Sequence, residues 1–522
     1  MHTSCFLRCM AAALVVVTTT MVDAITPIEV KGTRLFDVVS GKPFQVKGVD
    51  YYPRPNAGKD DVNNHDVFTD DNEPMWKSHI QEFVALGVNT IRLYAVDPSK
   101  PHDKFMCALS AVGIYVIVDL AAACENCAIT NDAYPTCYPP QLKTRGQQII
   151  SSFAKYNNVL AFSAGNEINH VVKDVKTNAP CQKKFLRDMR AYIDSCATNM
   201  RYIPVGVVLA DSDRDINALY YSCRTDPADS LENAECTCVT SSVKSEYIDP
   251  WLPGVGYGLN AYLQCDAPAT ASTIGPGYNK LLSDFKSYKL PIPSIMTEYG
   301  CVNKGFPTVN GYAAQRTWID AAWLLSSQFV DVFAGGLAFE FSTENANSKA
   351  DAPFPFTSFG TQNYGLGYFD PATCDGTTTS PCTYKRMPNF DLLATQYNAS
   401  KATSLPTKSA YTPSITAFPA CPSSVPSLKD IVWVADSTAD MLCPDLKQTT
   451  LCAGDIIYTG KKDSPPTNKT NSTHAVTTPK PTATTSAPSP PIAAAPQTAQ
   501  SMASSSSLAG IVLLAAAVMA AN

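Results

Sequence analysis

The chain has 522 residues, 45% of them hydrophobic and 16% charged, with a formal net charge of −6. Such a composition buries a large core and excludes a chain that is disordered over most of its length. No Lys/Arg run or basic stripe is available to follow a phosphate backbone, so nucleic acid is not an expected partner.

At the N-terminus, Arg8, the apolar run Met10–Val17 and the small-residue pattern Val22-Asp23-Ala24 read as a secretory signal over 1–24. Cys5 and Cys9 leave with it, so 16 of the 18 cysteines remain (18 − 2), an even number in an oxidising compartment where disulfides are the ordinary fate. Cys124 and Cys127 have the spacing of a zinc or redox pair. No second CxxC and no paired histidines accompany them, so no metal or organic cofactor is expected.

Over residues 25–400 one theme recurs, an apolar run followed by a helical or loop stretch. The runs are Phe44–Asp50, Thr90–Ala95, Ile114–Leu120, Val159–Ala164, Ile203–Leu209, Gly256–Asn260, Pro293–Thr297 and Phe333–Phe341. Separated by helical patterns such as Trp76–Leu86, Leu142–Ala154 and Thr317–Phe329, they predict parallel strands covered on both faces. Eight of them predict an α/β fold closed into a (β/α)8 TIM barrel, with the cysteine-bearing stretches Cys124–Cys137 and Cys223–Cys238 as long loops.

Residues 401–460 read as a small appendage packed on the barrel. Its three cysteines, Cys421, Cys443 and Cys452, cannot all pair with one another, and Cys374 and Cys382 are candidates for an outside partner. Residues 461–507 are rich in Pro, Ser, Thr and Ala, the composition of a disordered, O-glycosylated stalk. Sequons at Asn398, Asn468 and Asn471 are expected glycosylation positions. The tail, 508–522, is apolar but too short to cross a bilayer as a helix, and follows small residues and a polar spacer. That is the layout of a GPI-anchor signal, with a plain membrane-anchoring tail as the competing reading.

Two stretches carry the chemistry, Phe162–Asn169 (FSAGNEIN) and Ser294–Cys301 (SIMTEYGC), each ending an apolar run with a glutamate. A buried, unpaired carboxylate is costly, so both glutamates belong where a strand opens into a cleft. Counting runs, Glu167 follows the fourth strand and Glu298 the seventh, and the C-terminal strand ends of such a barrel share one cleft. Paired carboxylates suit glycoside chemistry, one protonating the leaving oxygen and the other attacking the anomeric carbon or activating water. Arg92 shares strand parity with Tyr94 and lies near the cleft, either to keep a carboxylate ionised or to tie strands together by a salt bridge.

In order and spacing, KGVDYYP (Lys47–Pro53), NTIRLYAVDP (Asn89–Pro98), AVGIYVIVDL (Ala111–Leu120), FAKYNNVLAFSAGNEI (Phe153–Ile168), YGLNAYLQC (Tyr257–Cys265), EYGC (Glu298–Cys301) and GGLAFEFS (Gly335–Ser342) resemble glycoside hydrolase family 72. Members are GPI-anchored β-1,3-glucanosyltransferases that elongate wall glucan. The resemblance implies Glu167 as general acid/base, Glu298 as nucleophile, and Asn166 hydrogen-bonded to the sugar 2-hydroxyl. It implies active-site roles for Tyr94 and Tyr262, and the disulfides Cys107–Cys137, Cys265–Cys301 and Cys223–Cys382. The implied partners are a β-1,3-glucan donor and acceptor, at the outer face of the plasma membrane or in the wall.

Two positions depart from the family pattern: Tyr52 stands where glutamine is usual and Phe339 where tyrosine is usual. Both belong to the expected substrate-binding set, so acceptor handling is expected to differ. Tyr51, Tyr52, Tyr94, Tyr134, Tyr138, Trp251, Tyr257, Tyr262 and Phe339 would suit an acceptor platform, with about half of them serving as ordinary packing. The rival readings are a retaining β-glucanase or mannanase of the same clan and a non-catalytic wall-binding protein.

Overall fold

The apolar runs become parallel strands wound into a closed barrel. The computed structural model describes residues 24–57, 65–170, 172, 174–240, 273–343, 352–400, 405–423, 425–449, 451–462 and 467–469. A short antiparallel sheet comes first: β1 (Ile28–Lys31), β2 (Arg34–Asp37) and β3 (Pro43–Phe44). The barrel follows as β4 (Val46–Tyr51), β5 (Thr90–Leu93), β6 (Tyr115–Asp119), β7 (Val159–Asn166), β8 (Val205–Ala210), β9 (Thr237–Thr240), β10 (Ser294–Tyr299) and β11 (Phe333–Ala338). Every neighbouring pair is parallel, and β11 returns to β4 to close the ring. Seven strands arise from the runs read in the sequence. The sixth position is a correction: Thr237–Thr240 occupies it, and the expected Gly256–Asn260 lies outside the described residues. A polar four-residue strand lacks the continuous apolar signal that marked the others.

The helices on the outer face are α1 (Glu73–Trp76), α2 (His79–Leu86), α3 (Asp103–Ser110), α4 (Pro140–Phe153), α5 (Ala179–Ser195), α6 (Arg214–Ser222), α7 (Pro276–Tyr288), α8 (Ile319–Leu324) and α9 (Pro388–Ala399). The stretch Trp76–Leu86 is thus divided between α1 and α2. Helix α2 stops at Gly87, whose φ of 78° lets its N–H return to the carbonyls of Phe83 and Val84. Helices α4, α5, α7 and α9 each carry a proline in their first two positions, where its missing N–H costs nothing.

The barrel interior is divided by polarity. Its lower part is apolar, built from Val46, Ile117, Leu160, Val208, Ile295 and Leu337, with Ile25, Ile28 and Leu35 of the leading segment packed against it. Leu337 fills the axis opposite Gly48, where a Cβ would stand 2.5 Å from its Cγ. Towards the C-terminal strand ends charged side chains enter the interior, with Asp50, Arg92, Asp119 and Glu298 all buried there.

The disulfides correct two expected pairings. Cys107 is bonded to Cys452 instead of Cys137, and Cys223 to Cys421 instead of Cys382. Cys137 pairs with Cys181, Cys374 with Cys382, Cys196 with Cys443, and Cys124 with Cys127. Cys301 is also disulfide-bonded, and Cys265, its expected partner, lies outside the described residues. All three cysteines of the C-terminal segment therefore reach the barrel, and neither Cys374 nor Cys382 receives them.

The segment beyond residue 405 runs back over the helices as a strap, tied after α6, then after α5, then within α3. Between these ties Lys143 donates to the Thr438 carbonyl at 2.7 Å, Gln147 to Asp440 at 2.7 Å, and Tyr192 to the Leu442 carbonyl at 3.0 Å. Trp433 and Leu428 are buried in the main core. Replacing Cys196 and Cys443 together by serine is expected to lower unfolding free energy by about 2–4 kcal/mol, since the bond closes a long loop of the unfolded chain. Denaturant titration checks this, and an unchanged midpoint would mean that the strap is held by its packing alone.

Candidate active site

Both strands that carry the glutamates lose their regular register where the side chains must turn into the cleft. The β7–β8 pairing shifts between Ser163 and Asn166, and the β9–β10 pairing between Met296 and Glu298. Such bulges re-aim side chains at barrel rims. Immediately after β7, Glu167 has a φ of 50°, a conformation uncommon for a residue with a Cβ, and its N–H is tied to the Val208 carbonyl at 3.0 Å. Gly165 makes the approach possible, because a Cβ there would stand 2.7 Å from Oε1 of Gln182 on α5. The strand end thus leaves Glu167 half-buried at the rim, whereas Glu298 lies buried within β10.

Arg92 organises the site. From β5 its Nε and Nη2 grip Asp119 of β6 at 3.0 and 2.7 Å, a bidentate pair. Nη2 also donates to Asn166 Oδ1 at 2.8 Å, and Nη1 donates to Glu298 Oε1 at 3.0 Å. Both readings of Arg92 therefore hold, since it ties neighbouring strands and stands against a glutamate. Burial by itself opposes the guanidinium charge. The negative charges of Asp119 and Glu298, with the Tyr94 oxygen, outweigh that effect and hold the proton more tightly than in free arginine. Because a guanidinium only donates, the amide oxygen of Asn166 must face it, and the exposed Asn166 is left with its NH2 for an acceptor in the cleft.

Tyr94 lies beside this charge, its ring 4.3 Å below the Arg92 guanidinium carbon and its hydroxyl 3.0 Å from both Glu298 Oε1 and Asp50 Oδ1. Glu298 Oε1 is accordingly met by two donors. Tyr52 is buried, its ring 5.8 Å from that of Tyr94 and 4.5 Å from the Arg54 guanidinium carbon, so it braces Tyr94. Phe339, just past β11, is half-buried and meets the edge of Tyr364 at 5.7 Å, in an apolar group with Val302 and Phe359. Tyr51 and Tyr138 are fully buried packing. Tyr262, Trp251 and Tyr257 lie outside the described residues, as does Asn471. Asn398 is exposed near the end of α9, and Asn468 lies in the short strand Thr467–Lys469.

Two site residues were not singled out in the sequence, Asp50 and Asp119. Each closes an apolar run with a carboxylate, the same signal that marks Glu167 and Glu298, within Lys47–Pro53 and Ala111–Leu120. Among the described residues no group of His, Cys, Asp and Glu is arranged as a metal site, and no helix is long and apolar enough to cross a membrane.

Fold and site together define a (β/α)8 barrel built around rim carboxylates, with a buried glutamate on the seventh barrel strand and an Asn-Glu pair after the fourth. A family model described as Glucanosyltransferase matches residues 17–349, and the chain belongs to this family, glycoside hydrolase family 72. It is 31% identical over 329 residues to 1,3-beta-glucanosyltransferase GAS4 of Saccharomyces cerevisiae, covering 61% of this chain and 60% of that protein. It is 32% identical over 332 residues to 1,3-beta-glucanosyltransferase gel1 of Aspergillus fumigatus, covering 62% and 61%. The chain therefore matches about three fifths of the length of these relatives. In fold it is similar to Saccharomyces cerevisiae Gas2p solved in complex with laminaripentaose, with a TM-score of 0.55 at 24% identity over 77% of this chain and 75% of that one.

Proposed function

We propose that the protein is a retaining 1,3-β-glucanosyltransferase, secreted and held by a GPI anchor at the outer face of the plasma membrane or in the cell wall. The observation that carries the reading is the state of Glu298: buried on the seventh strand, with Oε1 engaged by Arg92 and Tyr94 at 3.0 Å each. Two donors on one oxygen hold the carboxylate in a fixed orientation, as a nucleophile requires. With Oε1 held, Oε2 attacks the anomeric carbon of a β-1,3-glucan while Glu167 protonates the departing glycosidic oxygen, and the fragment bearing the old reducing end leaves. A hydroxyl of a second glucan then gives its proton to Glu167 and attacks the glycosyl ester, which restores Glu298 and forms the new bond. The Asn166 NH2 meets the 2-hydroxyl, a contact that strengthens as charge develops on the sugar ring.

Transfer prevails over hydrolysis when an acceptor sugar covers the intermediate more effectively than water. Half-buried Phe339, with Tyr364 and Phe359 beside it, supplies an apolar face for that sugar. The names of the relatives and the oligosaccharide bound by Gas2p support glucan as donor and acceptor. The signal at 1–24, the stalk and the apolar tail support the proposed location. Incubation with end-labelled laminari-oligosaccharides is expected to yield products longer than the input with the β configuration kept. Shortened products alone would identify a hydrolase, and inverted anomers would exclude the double-displacement scheme.

A further inference from the structure

Three carboxylates, Asp50, Asp119 and Glu298, surround the single guanidinium of Arg92, and all four side chains are buried. Asp119 takes the Nε–Nη2 fork and Glu298 takes Nη1. No nitrogen of Arg92 is bonded to Asp50. Among the described residues the Asp50 side chain meets only the Tyr94 hydroxyl, through Oδ1, while Oδ2 is buried without a hydrogen-bond partner. An ionised Asp50 would leave a charged oxygen bare beside a second anion.

The protons at Tyr94 can be counted. Its oxygen accepts from Arg92 Nη1 at 3.2 Å and lies 3.0 Å from Asp50 Oδ1 and 3.0 Å from Glu298 Oε1, and a phenol has one proton to donate. Only one of the two carboxyl oxygens receives it, so the other contact is a hydrogen bond only if that carboxyl brings its own proton. Glu298 already faces the cation. Asp50 has no hydrogen bond to it, and burial together with the charge of Glu298, only partly offset by the Arg92 charge, pushes its carboxyl well above the usual range. The groups facing Asp50 are Arg92 on β5, Tyr94 just past it, Asp119 on β6, Glu298 on β10 and Tyr397 on α9. Tyr94 itself is driven up by burial, only partly opposed by Arg92, and keeps its proton.

We propose that Asp50 is a positioning residue that acts as a neutral carboxylic acid, giving its proton to the Tyr94 oxygen and thereby aiming the Tyr94 proton at Glu298. Loss of the Asp50 proton turns the phenol towards Asp50, strips one donor from Glu298 and sets a second anion beside it. The proposal rests on Glu298 being the nucleophile.

The test is the pH dependence of kcat/KM for the parent and Asp50→Asn, using a laminari-oligosaccharide with a dinitrophenolate leaving group, which departs without a proton from Glu167. The parent is expected to lose about tenfold in rate for each pH unit once Asp50 ionises. In Asp50→Asn, whose NH2 donates at every pH, that alkaline limb is expected to vanish while the acid limb stays in place. An alkaline limb shared by both proteins overturns the proposal. So does an acid limb moved to lower pH in the variant, the sign of an anion removed from beside Glu298. Should the variant not fold, the parent labelled with 13C at aspartyl carboxyls decides, because no protonated carboxyl at pH 7 overturns the proposal equally. Undiminished turnover by Glu298→Gln would instead mark failure of the underlying reading.

Discussion

Glu298→Gln is expected to lower the rate of glucan elongation by at least about 10³-fold, the scale of loss when a nucleophile acting within a concerted unit is removed. The amide keeps an oxygen that can accept from Arg92 and Tyr94, so both contacts at 3.0 Å have a successor and the cleft retains its shape. What disappears is the negative charge that attacks the sugar. Stability should not fall, because Asp119 still balances Arg92 through two hydrogen bonds. Product chromatography beside a denaturation curve checks both statements. A variant as stable as the parent and still lengthening laminari-oligosaccharides would remove Glu298 from the chemistry.

Arg92→Met is expected to act on stability as well as on rate. The guanidinium is fully buried, and its loss leaves Asp119 and Glu298 without their cation and Asn166 without the donor that orients it. Removing one partner from a buried ion pair costs about 3–5 kcal/mol, because the remaining charge stays behind. Glu298 would also hold its proton more tightly without the neighbouring positive charge, so the acid limb of activity should move to higher pH. Arg92→Lys keeps the charge but cannot span Asp119, Asn166 and Glu298 with one ammonium group, and is expected to recover only part of either loss. Denaturant midpoints and pH profiles of the two variants are the measurement. A lysine variant equal to the parent in both would reduce Arg92 to a point charge.

The signals that were legible in the chain and those that were not differ in kind. Seven of the eight barrel strands declared themselves because a strand buried on both faces needs an unbroken apolar run, whereas the sixth, Thr237–Thr240, is polar and short. Glu167 and Glu298 stood out because a carboxylate closing such a run needs a cleft or a partner. Asp50 and Asp119 obey the same rule but carry no further mark, since nothing local separates a strand-end aspartate paired inside the barrel from one facing solvent. The pairings of Cys107 and Cys223 failed for another reason. Both cysteines join the C-terminal strap, with separations of 345 and 198 residues, and spacing carries no information about contacts so distant.

The sequence by itself determined the barrel, seven of its eight strands and the two glutamates that close their runs, because hydrophobic periodicity and the cost of burying charge act residue by residue. Only the tertiary structure decided which charges meet. One guanidinium between two strands sets the company of Glu298, the direction of Asn166 and the isolation of Asp50. Those relations depend on register, bulges and the closing of the ring, which bring β5 and β10 within hydrogen-bond reach across 206 residues of chain.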